Sequence, residues 1–169
     1  MTNNMENAHA RTWLWLSALV VVLDQATKAL AELYLDPVRP LNLLPFFDLR
    51  LAYNRGAAFS FLGDAGGWQR TFFIVLTVVV LVFLLRWLWH LKGAQRLVPS
   101  GLSLVIGGAV GNLIDRVATG AVVDFLDFYY QAWHWPAFNV ADSAITLGVI
   151  LLLADSLFFA GNSRPGETP

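Results

Sequence analysis

The chain contains no cysteine. Disulfides, thiolate metal sites and a cysteine nucleophile are therefore excluded. Charge is also scarce: 14% of residues are Asp, Glu, Lys or Arg, against about 25% in a typical soluble domain. The net charge is −1, so no basic excess marks a nucleic-acid surface. There is no His-Glu-x-x-His zinc motif, and His9, His90 and His134 are scattered. No Gly-x-Ser-x-Gly elbow occurs, and Ser60, Ser100, Ser103 and Ser143 have no evident general base. A glycine-rich phosphate loop is missing as well. No metal or cofactor is expected.

What fills the space is apolar. Hydrophobic residues make up 57% of the chain, above the roughly 45–50% of soluble proteins. A membrane-spanning helix needs about 20 such residues in a row, because roughly 30 Å of hydrocarbon is crossed at 1.5 Å per residue. Four stretches meet that requirement: 13–35, 68–90, 97–118 and 138–159. Nothing large enough for a soluble domain remains, so residues 1–169 read as one membrane domain. Trp13, Trp15, Trp68, Trp87, Trp89, Trp133 and Trp135 stand where the apolar runs end, as an aromatic belt at the membrane–water interface would. Arg11, the run 13–23 and Ala29-Leu30-Ala31 imitate a cleavable signal peptide. The run continues through Asp24–Lys28 to full spanning length, so it reads as a retained first span.

Lysine and arginine bias sets the orientation. With the N-terminus inside, Arg11, Arg86, Lys92, Arg96 and Arg164 are cytoplasmic, and Arg39, Arg50, Arg55 and Arg70 lie outside. Both termini are then cytoplasmic. In the outer stretch 36–67, Phe47-Asp48-Leu49-Arg50-Leu51 alternates with the period of a half-exposed strand. Asn54-Arg55-Gly56 is turn chemistry, and Ala57–Leu62 runs apolar. A short strand pair resting on the outer face is expected here. The other outer stretch, 120–137, mixes carboxylates with aromatics and reads as an interfacial loop.

Ionisable groups inside spans are costly and mark structure or function. Asp24 and Lys28 are four residues apart on one helical face, an i,i+4 ion pair. Gly107 and Gly111 have the small-xxx-small spacing of a close helix contact. Asn112, Asp115 and Arg116 share a face with Gly108, where the Asp and Arg could neutralise each other. Asp124 sits among apolar neighbours just past the third span, with Asp127 three residues on. Asn139 can cap the fourth helix, leaving Asp142 in its first turn near the positive end of the macrodipole. Each feature alone has a structural explanation.

Together they suggest more. Asp124 and Asp142 belong to the outer ends of consecutive spans joined by one short segment, and should meet. Two carboxylates sharing a site do not both ionise readily, so one keeps a proton. That supplies a general base for water and a general acid for a leaving amine. Which Asp carries the proton is open. A transporter using the same ionisable groups as a relay, and a non-catalytic assembly factor, are the competing readings.

Five motifs fall in order along nearly the whole chain: Asp24-Gln25-x-x-Lys28, Tyr53-Asn54-Arg55-Gly56-Ala57-Ala58-Phe59-Ser60, Gly107-Gly108-Ala109-x-Gly111-Asn112-Leu113-x-Asp115-Arg116, Val122-Val123-Asp124-Phe125 and Phe138-Asn139-Val140-Ala141-Asp142-Ser143. In this the chain resembles the bacterial lipoprotein signal peptidases (signal peptidase II). The resemblance implies an inner-membrane aspartic endopeptidase with four transmembrane helices and an extracytoplasmic β-cradle. The implied substrate is a prolipoprotein, cut just before its diacylglyceryl-modified cysteine. The implied catalytic pair is Asp124 and Asp142, supported by Asn54, Gly56, Asn112, Asp115, Arg116, Asn139, Ala141 and Asp24. Inhibition by globomycin-type cyclic peptides is implied too. The expected partners are the lipid-modified substrate and the bilayer, the expected state a monomer, and no nucleic acid is expected.

Overall fold

The computed structural model describes residues 2–56, 67–91 and 96–158, with side chains from residue 12 onward. In chain order the elements are α1 (Thr2–Tyr34), β1 (Leu41–Leu44), β2 (Phe47–Asn54), α2 (Trp68–His90), α3 (Leu97–Ala118), β3 (Val122–Tyr130), β4 (Trp133–His134) and α4 (Val140–Phe158). All four helices are long and apolar enough to cross a membrane, and their bounds follow the four apolar runs. Helix α1 extends beyond its run, back to Thr2. Helix α2 has neither Gly nor Pro to interrupt it. Pro99 of α3 lies in the first turn, where its missing N–H has no intrahelical partner to lose. The far end of α3 is closed by α2. Arg70 donates to the Arg116 and Val117 carbonyls at 2.9 and 2.7 Å, and Gly120 turns the chain away at φ 87°, a left-handed conformation that glycine adopts without strain.

Helix α3 is the centre of the bundle. In its most apolar stretch 56% of residues are buried, against 17% for α2 and α4, so the latter two present most of their surface outward. Leu81, Leu84 and Leu88 of α2 pack on Val98, Leu102 and Ile106 of α3. On its other sides α3 uses glycine. A Cβ on Gly107 would stand 2.8 Å from the Ser17 carbonyl oxygen of α1. One on Gly108 would collide with the Ala141 carbonyl oxygen of α4. Gly101 and Gly148 meet backbone to backbone lower in the same α3–α4 seam. Where lipid is the solvent, this close approach supplies the dispersion energy that holds helices together.

Helices α1 and α3 end, and α2 and α4 begin, at one end of the bundle, and the strands gather there as an antiparallel sheet of order β1-β2-β3-β4. Its inner surface, with Leu51, Val123 and Phe125, packs on Ala31 of α1. Two sequence expectations change. The strand at Phe47–Leu51 exists, but it pairs back to β1 through the turn at Pro45-Phe46 and forward to β3. The apolar run Ala57–Leu62 lies outside the described residues. The stretch 120–137 is not an interfacial loop, because it supplies β3 and β4. Residues 122–125 of β3 are all buried. A strand covered on both faces shows no alternation, which is why the sequence pattern did not reveal it.

The β2–β3 pairing contains a bulge. Asp48 pairs with Asp127 and Leu49 with Leu126, and then Ala52 pairs with Asp124 and Asn54 with Val122. The extra residue on β2 changes which face its later side chains share with β3. Gly108→Val should lower the thermal unfolding midpoint in detergent by an amount equivalent to about 1–3 kcal/mol, the usual cost of overpacking. Val79→Ala, on the exposed face of α2, should change it by less than about 0.5 kcal/mol.

Candidate active site

Asn54 ends β2 and opens a turn. Its Oδ1 accepts the Gly56 N–H at 3.0 Å, an Asx turn, which leaves Nδ2 to donate to Asp124 Oδ2 at 3.1 Å. Asp124 points the same way from β3 because Asn54 pairs with its neighbour Val122. Past β4 the chain returns to β3. Phe138 N donates to the Leu126 carbonyl at 3.0 Å, and the Phe138 carbonyl accepts from Phe125 and Leu126 at 3.0 and 2.9 Å. That bridge sets Asn139 beside Asp124 just before α4 starts.

Asn139 serves both carboxylates. Its Nδ2 donates to Asp124 Oδ1 at 2.7 Å. Its Oδ1 accepts the Asp142 N–H at 2.9 Å, and Asp142 Oδ2 accepts the Asn139 N–H at 3.3 Å. This reciprocal arrangement is a capping box with an aspartate in the glutamate position. The cap expected from the sequence is present. The second oxygen of Asp142, Oδ1, accepts from Asn112 Nδ2 at 2.7 Å. Asp124 and Asp142 are thus brought together, each oxygen held by an N–H.

Beneath them lies an ion cluster. Lys28 Nζ is 2.8 Å from Asp24 Oδ2 and 2.8 Å from Asp115 Oδ2, and it donates to Asn112 Oδ1 at 3.0 Å. Asp24 Oδ1 accepts the Ala141 N–H at 2.9 Å. Asp115 Oδ2 accepts the Val123 N–H at 3.1 Å, and Gln25 Nε2 donates to Asp115 Oδ1 at 2.9 Å. The Asp24–Lys28 pair is as the spacing predicts. The Asp115–Arg116 pair is not made, since adjacent helical residues do not face each other. Arg116 instead donates to the Gly56 carbonyl at 3.4 Å and lies 5.3 Å over the Phe73 ring. Ala141 is 0% exposed and contributes its backbone N–H and its smallness, packed against Gly108.

Asp127 stands apart. It is buried, with His134 Nδ1 at 2.9 Å and Arg50 at 4.0 Å, on the face of β3 opposite Asp124. No spacing in the chain signals that His134 meets it. Gln25 appeared in a matched motif without an assigned role, and Lys28 only as the partner of Asp24; the structure sets both against Asp115 as well. Among the described residues no group of three or more His, Asp or Glu could hold a metal ion.

A cavity of about 620 Å³ opens at Asp142. Asn54, Asn112, Arg116 and Asp142 form its polar end, and Ile145, Leu147 and Ile150 carry it along α4. Asp124 adjoins it through Asn54. Burial foremost, and then the charge of Asp142, pushes the Asp124 carboxyl up to about 7, against opposing effects from Asn54, Asn139 and Lys28. Asp124 is thereby poised to hold or release a proton near neutrality.

Residues 16–158 match the family model described as signal peptidase (SPase) II. The chain is similar to a protein of Acinetobacter baumannii named lipoprotein signal peptidase, 52% identical over 157 residues and covering 93% of this chain and 89% of the relative. A protein of the same name from Coxiella burnetii is 51% identical over 153 residues, covering 90% and 93%. The fold is similar to a bacterial membrane enzyme solved by the in meso method at 2.3 Å, with a TM-score of 0.81, 33% identity and 94% of each chain covered. The chain belongs to the signal peptidase II family.

Proposed function

We propose that this chain is an aspartic endopeptidase that removes the signal peptide from diacylglyceryl-modified prolipoproteins, cleaving just before the lipidated cysteine. The family and the name carried by its relatives support a peptidase of lipoproteins. The observation that carries the catalytic type is the pair Asp124 and Asp142, coupled through Asn139 beside a cavity whose apolar wall runs down a membrane-spanning helix.

In the proposed mechanism a water lies between the two carboxyl groups. The ionised member takes a proton from the water as its oxygen attacks the scissile carbonyl, and the protonated member gives its proton to the carbonyl oxygen. As the tetrahedral diol collapses, that proton returns to the second carboxyl and the first passes the water's proton to the leaving amine. Asn54, Asn112 and Asn139 keep the carboxyl groups oriented. Arg116 has its side chain at the cavity and offers N–H groups to a substrate carbonyl. The wall formed by Ile145, Leu147 and Ile150 suits a substrate that is already apolar and lipid-anchored, so binding draws partly on membrane partition.

The lysine and arginine bias supports both termini in the cytoplasm of a bacterial inner membrane, with the sheet and the pair on the outer side. The enzyme acts as a monomer without a cofactor, and globomycin-type cyclic peptides would occupy the cavity beside the pair. The transporter reading is weaker: Asp24, Lys28, Asp115, Asp124 and Asp142 form one connected cluster rather than a relay across the membrane.

Asp124→Asn and Asp142→Asn should each lower kcat on a lipidated prolipoprotein by about 10²–10⁴-fold or more, with the thermal midpoint retained. An unaltered rate in either variant would refute the pair. The dependence of kcat/KM on pH should be bell-shaped. Raising the pH through about 7 removes the proton that serves as general acid, so the rate falls on that side. Lowering it protonates the base, so the rate falls there too. A rate still climbing well above that pH would rule out a shared proton.

A further inference from the structure

Lys28 lies inside a spanning helix, 3% exposed, and touches no part of the cavity. An ammonium has three N–H donors, and here each has a separate acceptor: Asp24 Oδ2 at 2.8 Å, Asp115 Oδ2 at 2.8 Å and Asn112 Oδ1 at 3.0 Å. Neutralising the charge requires only carboxylates. The third acceptor is an amide oxygen, and its position has a chemical effect. A carboxamide held at its oxygen must point its nitrogen the other way. Asn112 Nδ2 is thereby aimed at Asp142 Oδ1, 2.7 Å away. Asn139 Nδ2 also reaches Asn112 Oδ1, at 3.2 Å, so the same oxygen joins both asparagines that hold the carboxyl pair.

We propose that Lys28 is a positioning residue for the reaction, acting through Asn112 to fix Asp142 and setting one positive charge directly below the carboxyl pair. This rests on the peptidase reading of Asp124 and Asp142. The charges facing the pair are the carboxylates of Asp24 and Asp115 and the cations of Lys28 and Arg116, while Asn54, Asn112 and Asn139 are neutral. With one proton shared by the pair, the whole cluster has a single excess negative charge. Lys28 thus adds its charge to the hydrogen bonds of Asn54 and Asn139 in favouring an ionised base in a water-poor surrounding. Asp24 and Asp115 hold the lysine in place, and their backbone partners, Ala141 N and Val123 N, immediately precede Asp142 and Asp124 in the chain.

The test is the pH dependence of cleavage of a lipidated prolipoprotein by the full-length enzyme in detergent. In Lys28→Met, loss of the cation makes both carboxyl groups hold protons more tightly. Both limbs of the profile should move to higher pH by roughly half to one unit, and kcat at the wild-type optimum should fall roughly tenfold or more. Lys28→Arg keeps the charge and should leave the limbs in place. A folded Lys28→Met with unmoved limbs overturns the proposal, even if it is slower. Should that variant not fold, Asp115→Asn carries the test. It removes an anion from beside Lys28, so the limbs should move to lower pH, and unmoved limbs again overturn the proposal. Asp124→Asn and Asp142→Asn are run alongside. If these still cleave, the peptidase reading of the pair fails. If they are inactive and the limbs do not move, only the role of Lys28 fails.

Discussion

A lysine ammonium buried in a spanning helix is tolerated only if every donor is matched, because the membrane offers no water to complete the set. Around Lys28 the matching groups come from different elements: Asp24 from α1 itself, and Asp115 and Asn112 from α3. The two carboxylates each take a further backbone N–H, from the residue before Asp124 and from the residue before Asp142. Removing Lys28 would leave both carboxylates without their cation inside the bundle, a loss that costs about 3–5 kcal/mol. The cluster therefore ties α1, α3, β3 and α4 together at the level where the carboxyl pair must be built. The glycine seam has a related purpose. Only because Gly108 and Gly111 lack side chains can Ala141 and Asp24 come near enough to α3.

The asparagines form the next layer. A carboxamide is both donor and acceptor at fixed geometry, so it can accept from the cation below and donate to a carboxylate above. Asn112 does this for Asp142, and Asn139 caps α4 while donating to Asp124. A carboxylate in either position would add a charge to a crowded site, and a hydroxyl would not span the distance. The outcome is a pair whose hydrogen bonds and burial pull in opposite directions. The hydrogen bonds favour ionisation, and burial with mutual repulsion oppose it. Balanced in this way, the pair suits the acid and base roles proposed for it.

The helices were legible in the sequence because lipid demands continuous apolar length, and α2 and α3 coincide with their apolar runs. The cap at Asn139 and the pair Asp24–Lys28 were legible because both are local, fixed by spacings of three and four. β3 was not, since a strand buried on both faces lacks alternation. The partner of Asp115 was not legible either. Its nearest cation in sequence is Arg116, but the helix turns the two apart and brings in Lys28 from eighty-odd residues earlier. The meeting of Asp127 with His134 depends on a tight turn at Gln131, with φ 55°, and no spacing rule foretells it. Non-local pairing was beyond periodicity alone. It became accessible where consecutive spans joined by a short segment had to bring Asp124 and Asp142 to one membrane face, and where an ordered set of motifs marked residues that belong together.

The bulge in β2 makes the sheet a counting device. Asp48 and Asn54 are an even number of residues apart, and an unbroken strand would show them on one face. Across the bulge they do not share one: Asp48 pairs opposite Asp127, and Asn54 lies by Asp124. One inserted residue has changed the parity of everything after it. The segment between Leu49 and Ala52 therefore has a length that cannot vary by one in either direction. Shortening it would turn Asn54, and with it the Gly56 carbonyl that receives Arg116, away from the carboxyl pair. A loop can absorb such a change, whereas this strand would transmit it to the site.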